Sequence, residues 1–346
     1  MFARAKAAKL IKTLLELFDD MGDAALELEI LLCKELLAWS VSEKRAFLKQ
    51  ALDTRLISLY HKTGYYSDAL ALISTTIRQL KRLDDKLSLI EVHLLESRVY
   101  FALKNTAKAR AALTAGRTYA NAMYTPPLLQ AALDVQAGLL HAEDGDFKTA
   151  YSYFIEAFDN YVNSELDPRG AQTLKYLLLC KIMLSQPDEV ESILAGKLGQ
   201  HYPASRHFDA LKAVASACQQ KSLKLFETAL MTFPHELGED PIIQSHFATL
   251  YDSLLEQNLL RIVTPYSRVQ IAFISASINL SIHDVEVKLS QMILDKVLHA
   301  IIDQKTGCLI VLDEPKMDKS FTLVHECFQN INGVIDSLYV KSSNLA

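Results

Sequence analysis

The sequence predicts a mostly α-helical chain: an array of helical hairpins over residues 1–238, a small winged-helix domain over 239–314, and a C-terminal helix over 316–346. Three observations carry this. Up to about Gly238, apolar residues recur at helical spacing with no alternating strand pattern, and Gly or Pro falls mainly where helices should turn. A short motif returns at a fixed period, with its last residue at 69, 109, 150 and 190. Between Pro241 and Leu312 the period switches from helical to strand-like and back. At 346 residues the chain also exceeds what one hydrophobic core usually serves, so two domains or an elongated repeat array are expected.

The first helix is expected from Leu10, Ile11, Leu14, Leu15 and Phe18, with Ala3 and Ala7 on the same stripe. Arg4, Lys6, Lys9 and Lys12 superficially resemble a mitochondrial transit peptide. The periodic segment continues through Glu16, Asp19 and Asp20, however, so these cations read as the solvated side of a folded helix. The recurring motif is Gly64-Tyr-Tyr-Ser-Asp-Ala69, Asn105-Thr-Ala-Lys-Ala109, Gly145-Asp-Phe-Lys-Thr-Ala150 and Gln186-Pro-Asp-Glu-Val190. Each sets a turn residue just before a small or β-branched residue that lets two helices approach closely. The period implies stacked helical hairpins and resembles stretched tetratricopeptide repeats. Thr125-Pro126-Pro127 stops one helix and starts the next where missing amides cost nothing. Leu128, Ala132, Val135 and Leu139 are then expected to face the stack. The aromatic run Phe147, Tyr151, Tyr153, Phe154, Phe158 and Tyr161 is expected to fill the wedge between long helices rather than line a peptide groove.

Ile243, Phe247, Leu250 and Leu254 predict a helix ending near Asn258. Arg261-Ile-Val263 reads as a short β-type piece before Pro265, and a second periodic segment covers Val269 to Ile278. Ser281-Ile-His-Asp284 is a capping-box variant, with Asp where Glu is usual, opening a helix that carries Val285, Leu289, Met292 and Ile293 inward. Ala300 to Asp303, a turn ending at Gly307, and Cys308 to Leu312 make a β-hairpin. This order is a winged helix, and winged helices ordinarily bind nucleic acid. Charge opposes that use: Asp284, Glu286, Asp295 and Asp303 outnumber Lys288 and Lys296 in the segment that would need cations to displace phosphate counterions. What remains is a small sheet with open edges, whose unpaired amides and carbonyls can add strands from a neighbouring chain. Ala300, Ile301, Ile302, Leu309, Ile310 and Val311 are the candidate interface residues of that edge.

Beyond Pro315, Phe321, Val324, Phe328, Ile331, Ile335 and Leu338 are spaced alternately three and four apart. Two apolar positions per heptad specify a narrow seam for another helix, so these six are the second set of candidate partner-interface residues. Docking onto the chain's own domain is the competing use, and Gly333 lowers the helix's autonomy.

Net charge is −5, from 41 acids and 36 bases mixed throughout, which implies neither a polyanion partner nor a basic membrane-binding face. The richest apolar run, Tyr176 to Leu184, is interrupted by Lys181 and falls short of the ~18 residues a membrane span needs. Cys33, Cys180, Cys218, Cys308 and Cys327 form no Cys-x-x-Cys pair and read as reduced, mostly buried thiols of a cytosolic or nuclear protein. There is no Gly-x-Ser-x-Gly elbow. Gly196-Lys197 is followed by Leu198 and preceded at five residues by Glu191, so it is no phosphate-cradling loop. His325-Glu326 lacks the second His that would put two zinc ligands on one helix face. No enzymatic activity, cofactor or metal is expected.

Several segments carry a family resemblance: Lys44-Arg-Ala-Phe-Leu-Lys-Gln-Ala-Leu52, Lys108-Ala-Arg-Ala-Ala-Leu-Thr114, Lys148-Thr-Ala-Tyr-Ser-Tyr-Phe154, Leu174-Lys-Tyr-Leu-Leu-Leu-Cys-Lys-Ile-Met-Leu184, Leu255-Glu-Gln-Asn-Leu259, Ser267-Arg-Val-Gln-Ile271 and Lys288-Leu-Ser-Gln-Met-Ile-Leu-Asp-Lys296. Over essentially its whole length the chain resembles the PCI-domain lid subunits of the proteasome regulatory particle in the non-ATPase subunit 11 family. The resemblance implies a non-catalytic scaffold with a right-handed solenoid. It also implies a winged-helix sheet edge that joins a horseshoe of lid subunits, and a C-terminal helix that enters a bundle of lid subunit tails. Other lid subunits, the proteasome ATPase subunits and the outer ring of the core particle are the implied partners, in cytoplasm and nucleus. Met1 falls inside a helix that lies further along the chain in that family, so a frayed first helix and a weakened core-particle contact are expected. PCI domains also serve the signalosome and a translation initiation complex, so a scaffold of another such complex is the alternative, with a nucleic-acid-binding winged helix behind it.

Overall fold

The computed structural model describes residues 26–164, 169–196, 205–238, 240–278, 280–312 and 319–343, with residues 10, 11, 13–15, 17, 18, 199 and 202. Ala3, Ala7 and the basic residues up to Lys9 lie outside these. Leu10 and Leu14 are exposed, and Ile11 and Leu15 are half-buried. The chain divides into two compact units, Met1–Tyr251 and Asp252–Ala346. The division falls inside one helix rather than at residue 238.

The first unit is helical. Its elements are α1 (Leu26–Ser42), α2 (Ala46–Thr63), α3 (Tyr66–Leu83), α4 (Lys86–Ala102), α5 (Thr106–Asn121), α6 (Pro127–Glu143), α7 (Phe147–Asn163), α8 (Arg169–Met183), α9 (Asp188–Ala195), α10 (Arg206–Gln219), α11 (Leu223–Thr232), α12 (Pro234–Gly238) and the start of α13 (Pro241–Val263). Successive helices pack on one another, and α4 also packs on α2 and on α6, which is the neighbour pattern of a solenoid of helical hairpins. The residues singled out by the repeat hold the closest approaches: Ala69, Ala109 and Ala150 are wholly buried, and Val190 nearly so.

The turns between helices reuse one device. A residue with left-handed backbone stands two or three places before the next helix at Lys44, Gly64, Asp84, Lys104, Gly145, Ser185 and Lys221. At five of these the next residue's amide reaches back five residues, as in Asn105 N–H to Tyr100 O (2.9 Å) and Asp146 N–H to His141 O (3.0 Å), while the left-handed residue bonds three back. That is the Schellman closure, which satisfies carbonyls a helix end leaves bare. The following residue often caps the next helix: the Asn105 side chain accepts from Lys108 N–H, and Asp146 accepts from Thr149 N–H and Thr149 Oγ1.

The buried aromatics sort themselves by helix face. Phe154, Phe158 and Tyr161 fill the core, whereas Tyr153 lies on the other side of α7, stacked on His141 at 5.4 Å with the Arg117 guanidinium 4.5 Å above it. Arg117 also donates to Tyr153 Oη (3.1 Å) and to the buried Asp134 (2.9 Å). The stripe expected on α6 is corrected. Leu128 is exposed and Val135 and Leu139 are only half-buried, whereas Ala131, Leu133, Ala137 and Leu140 are buried. Helix α6 has neighbours on more than one side, so a single apolar stripe does not describe it.

In the second unit α13 runs on to Val263. Arg261 to Val263 is therefore helix and not strand, because Leu255, Leu259 and Val263 extend the buried stripe by fours. The strand comes later, as β1 (Arg268–Gln270), followed by α14 (Ile271–Ile278), α15 (Ile282–Leu294), β2 (Ala300–Asp303), β3 (Cys308–Val311) and α16 (Lys319–Ser343). The sheet is antiparallel in the order β1-β3-β2, with Val269 and Ile302 both opposite Leu309. Helix α15 opens on the expected box: Ser281 Oγ accepts from Asp284 N–H (3.2 Å) and donates to Asp284 Oδ2 (2.6 Å). Val285, Leu289 and Met292 are buried as expected, while Ile293 is half-buried.

Candidate assembly interface

Helix α16 exposes every side chain described in it. Of the expected seam, Phe321 is 83% exposed, Val324 52%, Phe328 61%, Ile331 48%, Ile335 56% and Leu338 60%. The helix is therefore not docked on its own unit. Leu323, Val334, Tyr339 and Val340 are exposed as well, and Val334 flanks the seam, widening it beyond two positions per heptad. The sequence pattern named the seam but not this widening, because only strict three-four spacing was scored. Fully burying one Val, Leu, Ile or Phe side chain contributes about 1.5–3 kcal/mol, and α16 leaves that stabilisation unrealised at each of these positions.

The six residues assigned to the sheet edge separate. Strand β3 is the middle strand, paired on both sides, so Leu309, Ile310 and Val311 do not lie on an open edge. Leu309 is wholly buried. The hairpin was legible, but β1 is only three residues long and left no period-2 signal to show that it would close β3's second side. Ala300, Ile301 and Ile302 do lie on an edge strand, with Ala300 buried, Ile302 half-buried and Ile301 54% exposed. Beside this edge runs a groove of about 770 Å³ between α15 and the hairpin, lined by Val287, Ser290, Leu294 and Ile302 among others. Val287 and Leu294 are 54% and 81% exposed. They sit off the inward stripe of α15, and that offset is the signal by which sequence alone points to them. The hairpin turn is held by Asp303, whose carboxylate accepts from Lys305 N–H and Thr306 Oγ1; these bonds keep its pKa below the usual carboxylate range.

The electrostatics of this face are unfavourable to phosphate. Lys288, one of the two bases of α15 and its flank, meets Glu256 at 3.0 Å and Asp252 at 3.8 Å, so its charge is already compensated. Among the described residues no group of three His, Cys, Asp or Glu side chains is placed to hold a metal ion, and no helix is long and apolar enough to cross a membrane. The described cysteines are free; burial pushes the Cys33 thiol up to about 11 and Cys180 to about 12, which keeps both protonated.

Two family models match: the PCI domain over residues 230–313 and the 26S proteasome regulatory subunit RPN6 N-terminal domain over residues 1–63. The chain is 50% identical over 337 residues to the probable 26S proteasome regulatory subunit rpn6 of Schizosaccharomyces pombe, covering 97% of this chain and 80% of that protein. The chain belongs to the Rpn6 family of 26S proteasome regulatory subunits. Two further Rpn6-family members extend the relation: the Arabidopsis thaliana 26S proteasome non-ATPase regulatory subunit 11 homolog is 47% identical over 345 residues (100% of this chain, 82% of that protein). The Saccharomyces cerevisiae 26S proteasome regulatory subunit RPN6 is 45% identical over 347 residues (99% and 80%). The Rpn6 PCI match covers the winged-helix elements from α13 to β3, the same stretch that carries the edge strand and groove.

Proposed function

We propose that this chain is a non-catalytic structural subunit of the 26S proteasome lid, supporting assembly and stability of the regulatory particle in ubiquitin-dependent protein degradation. The observation that carries the reading is α16, a 25-residue helix with an uncovered apolar seam, in a chain of the Rpn6 family. Such a helix works by being bound. Phe321, Val324, Phe328, Ile331, Ile335 and Leu338 would pack in a helical bundle with other lid subunits. Ala300, Ile301 and Ile302 would extend the sheet of a neighbouring lid subunit by main-chain pairing. The proteasome ATPase subunits are the further partners, and the reduced thiols accord with assembly in cytoplasm and nucleus. Affinity purification of the tagged chain with mass spectrometry tests this. Lid and ATPase subunits are the expected co-purifying proteins; recovery of signalosome or initiation-complex subunits in their place would refute the assignment.

A further inference from the structure

Within the first unit a cavity of about 570 Å³ lies among α2, the start of α3, α4, α6, α8 and the opening turns of α13. Its wall carries Arg98, Lys104 and Arg169; Lys104 meets Glu143 at 3.5 Å, and Arg169 is already engaged, its guanidinium standing 5.7 Å over the Tyr161 ring. Among the described residues no carboxylate stands within ion-pairing distance of Arg98. Burial lowers the Arg98 pKa; Tyr161 opposes this, and the charge of Arg169 adds to it. His61, on the same wall, is lowered first by its own burial and then by Arg98, against the raising effect of a bond to the Arg98 backbone carbonyl. Arg98 is half-buried beside a like charge, an arrangement that a bound anion would relieve.

A second observation is independent of charge. Gln136 lines the same cavity, is only 3% exposed, and its amide Nε2 has no hydrogen-bond partner. Buried donors are rarely left so, and each one points to a missing acceptor. The neighbouring amide is not free in this way, since Gln172 Nε2 donates to Tyr176 Oη at 3.0 Å. The rest of the wall includes Phe101, Val135, Leu139 and Ile242, so the cavity joins an anion-hungry end to an apolar one. A lone inorganic anion would leave the apolar part uncovered.

We propose that this cavity binds the side-chain carboxylate of an acidic peptide segment from a protein partner, with Arg98 and Gln136 donating to the carboxylate oxygens and an adjacent apolar residue of the peptide against Val135 and Leu139. The proposal does not rest on the lid assignment, since neither α16 nor the sheet contributes to the cavity. The test uses the purified full chain on an array of hexapeptides with a central Glu beside Leu or Phe, each next to its Gln twin. Glu members should retain the wild-type chain at least about tenfold better than their twins, as a charge-assisted pair in a shielded site requires. Arg98→Gln should abolish the preference, and Gln136→Leu should reduce it. The Leu variant removes an orphan donor and should fold at least as well as wild type, so the test survives a misfolded Arg98→Gln. Absence of Glu/Gln discrimination, or discrimination that persists in both variants, would overturn the proposal. So would inorganic phosphate raising the melting temperature of wild type but not of Arg98→Gln while no peptide discriminates, since the cavity would then take a free anion.

Discussion

A β-carbon on Gly138 would stand 2.6 Å from Cε1 of Phe154, whose ring is itself 1% exposed. The Phe154 ring of α7 thus lies directly on the backbone of α6, in the space that a side chain at 138 would take. Gly138 is required for space, whereas Gly64 and Gly145 sit at positive φ with nothing within 4 Å of a β-carbon. Gly138→Ala therefore sets a helix-propensity gain of at most about 1 kcal/mol against an overpacking cost of about 1–3 kcal/mol. A net loss of about 1–2 kcal/mol in urea unfolding is expected. Gly333→Ala, in open space on α16, is the control and should not destabilise. A neutral Gly138→Ala would show that the ring can move aside.

Asp53 gives the fold a pH dependence. Burial pushes its carboxyl up to about 6 from 3.8, with Lys49 opposing. The folded pKa is raised, so the contribution of this group is fully present below the unfolded value near 3.8 and is lost as pH rises through about 6. The loss amounts to at most about 3 kcal/mol. Asp53→Asn should be more stable than wild type at pH 7.5 and show a flatter stability profile between pH 4.5 and 7. Asp134, also raised by burial, remains in both proteins. Equal slopes in the two profiles would mean that Asp53 is not the titrating group.

Ile331→Asp places a charge in the middle of the α16 seam at a side chain that is 48% exposed. Circular dichroism and melting should be unchanged, because nothing in the second unit covers this position. Co-purification of the assembled lid should fall at least about tenfold, the cost of burying an unpaired carboxylate among apolar side chains. Ser337→Asp, off the seam on the same helix, should assemble normally. Wild-type yield with Ile331→Asp would show that the seam is not an assembly contact.

The parts of this fold written in local chemistry were legible. Ala69, Ala109 and Ala150 announced the hairpin repeat because close helix approach demands a small residue at a fixed offset from a turn. The Ser281–Asp284 box was equally plain, since a cap lies within four residues. The left-handed turns at Lys44, Asp84, Lys104, Ser185 and Lys221 were not, because the usual marker is glycine and only Gly64 and Gly145 supply it in these hairpins. They reveal single-helix steps of 20 residues at 44, 64, 84 and 104 inside the longer period. The paired state of β3 escaped because it depends on three residues some forty positions earlier. The Arg98 and Gln136 cavity escaped for the same kind of reason: its walls come from six helices, and no spacing along the chain brings them together.

The thiols of the chain are unequally available. Cys33, Cys180 and Cys308 are buried and Cys218 is half-buried, leaving Cys327 as the one exposed sulfur among the five. It stands beside Phe328 on α16, flanking the seam. A water-soluble alkylating reagent would thus modify one helix preferentially, and a single mass increment would count the copies whose α16 has no neighbour. The molecule carries its own chemical footprint of assembly.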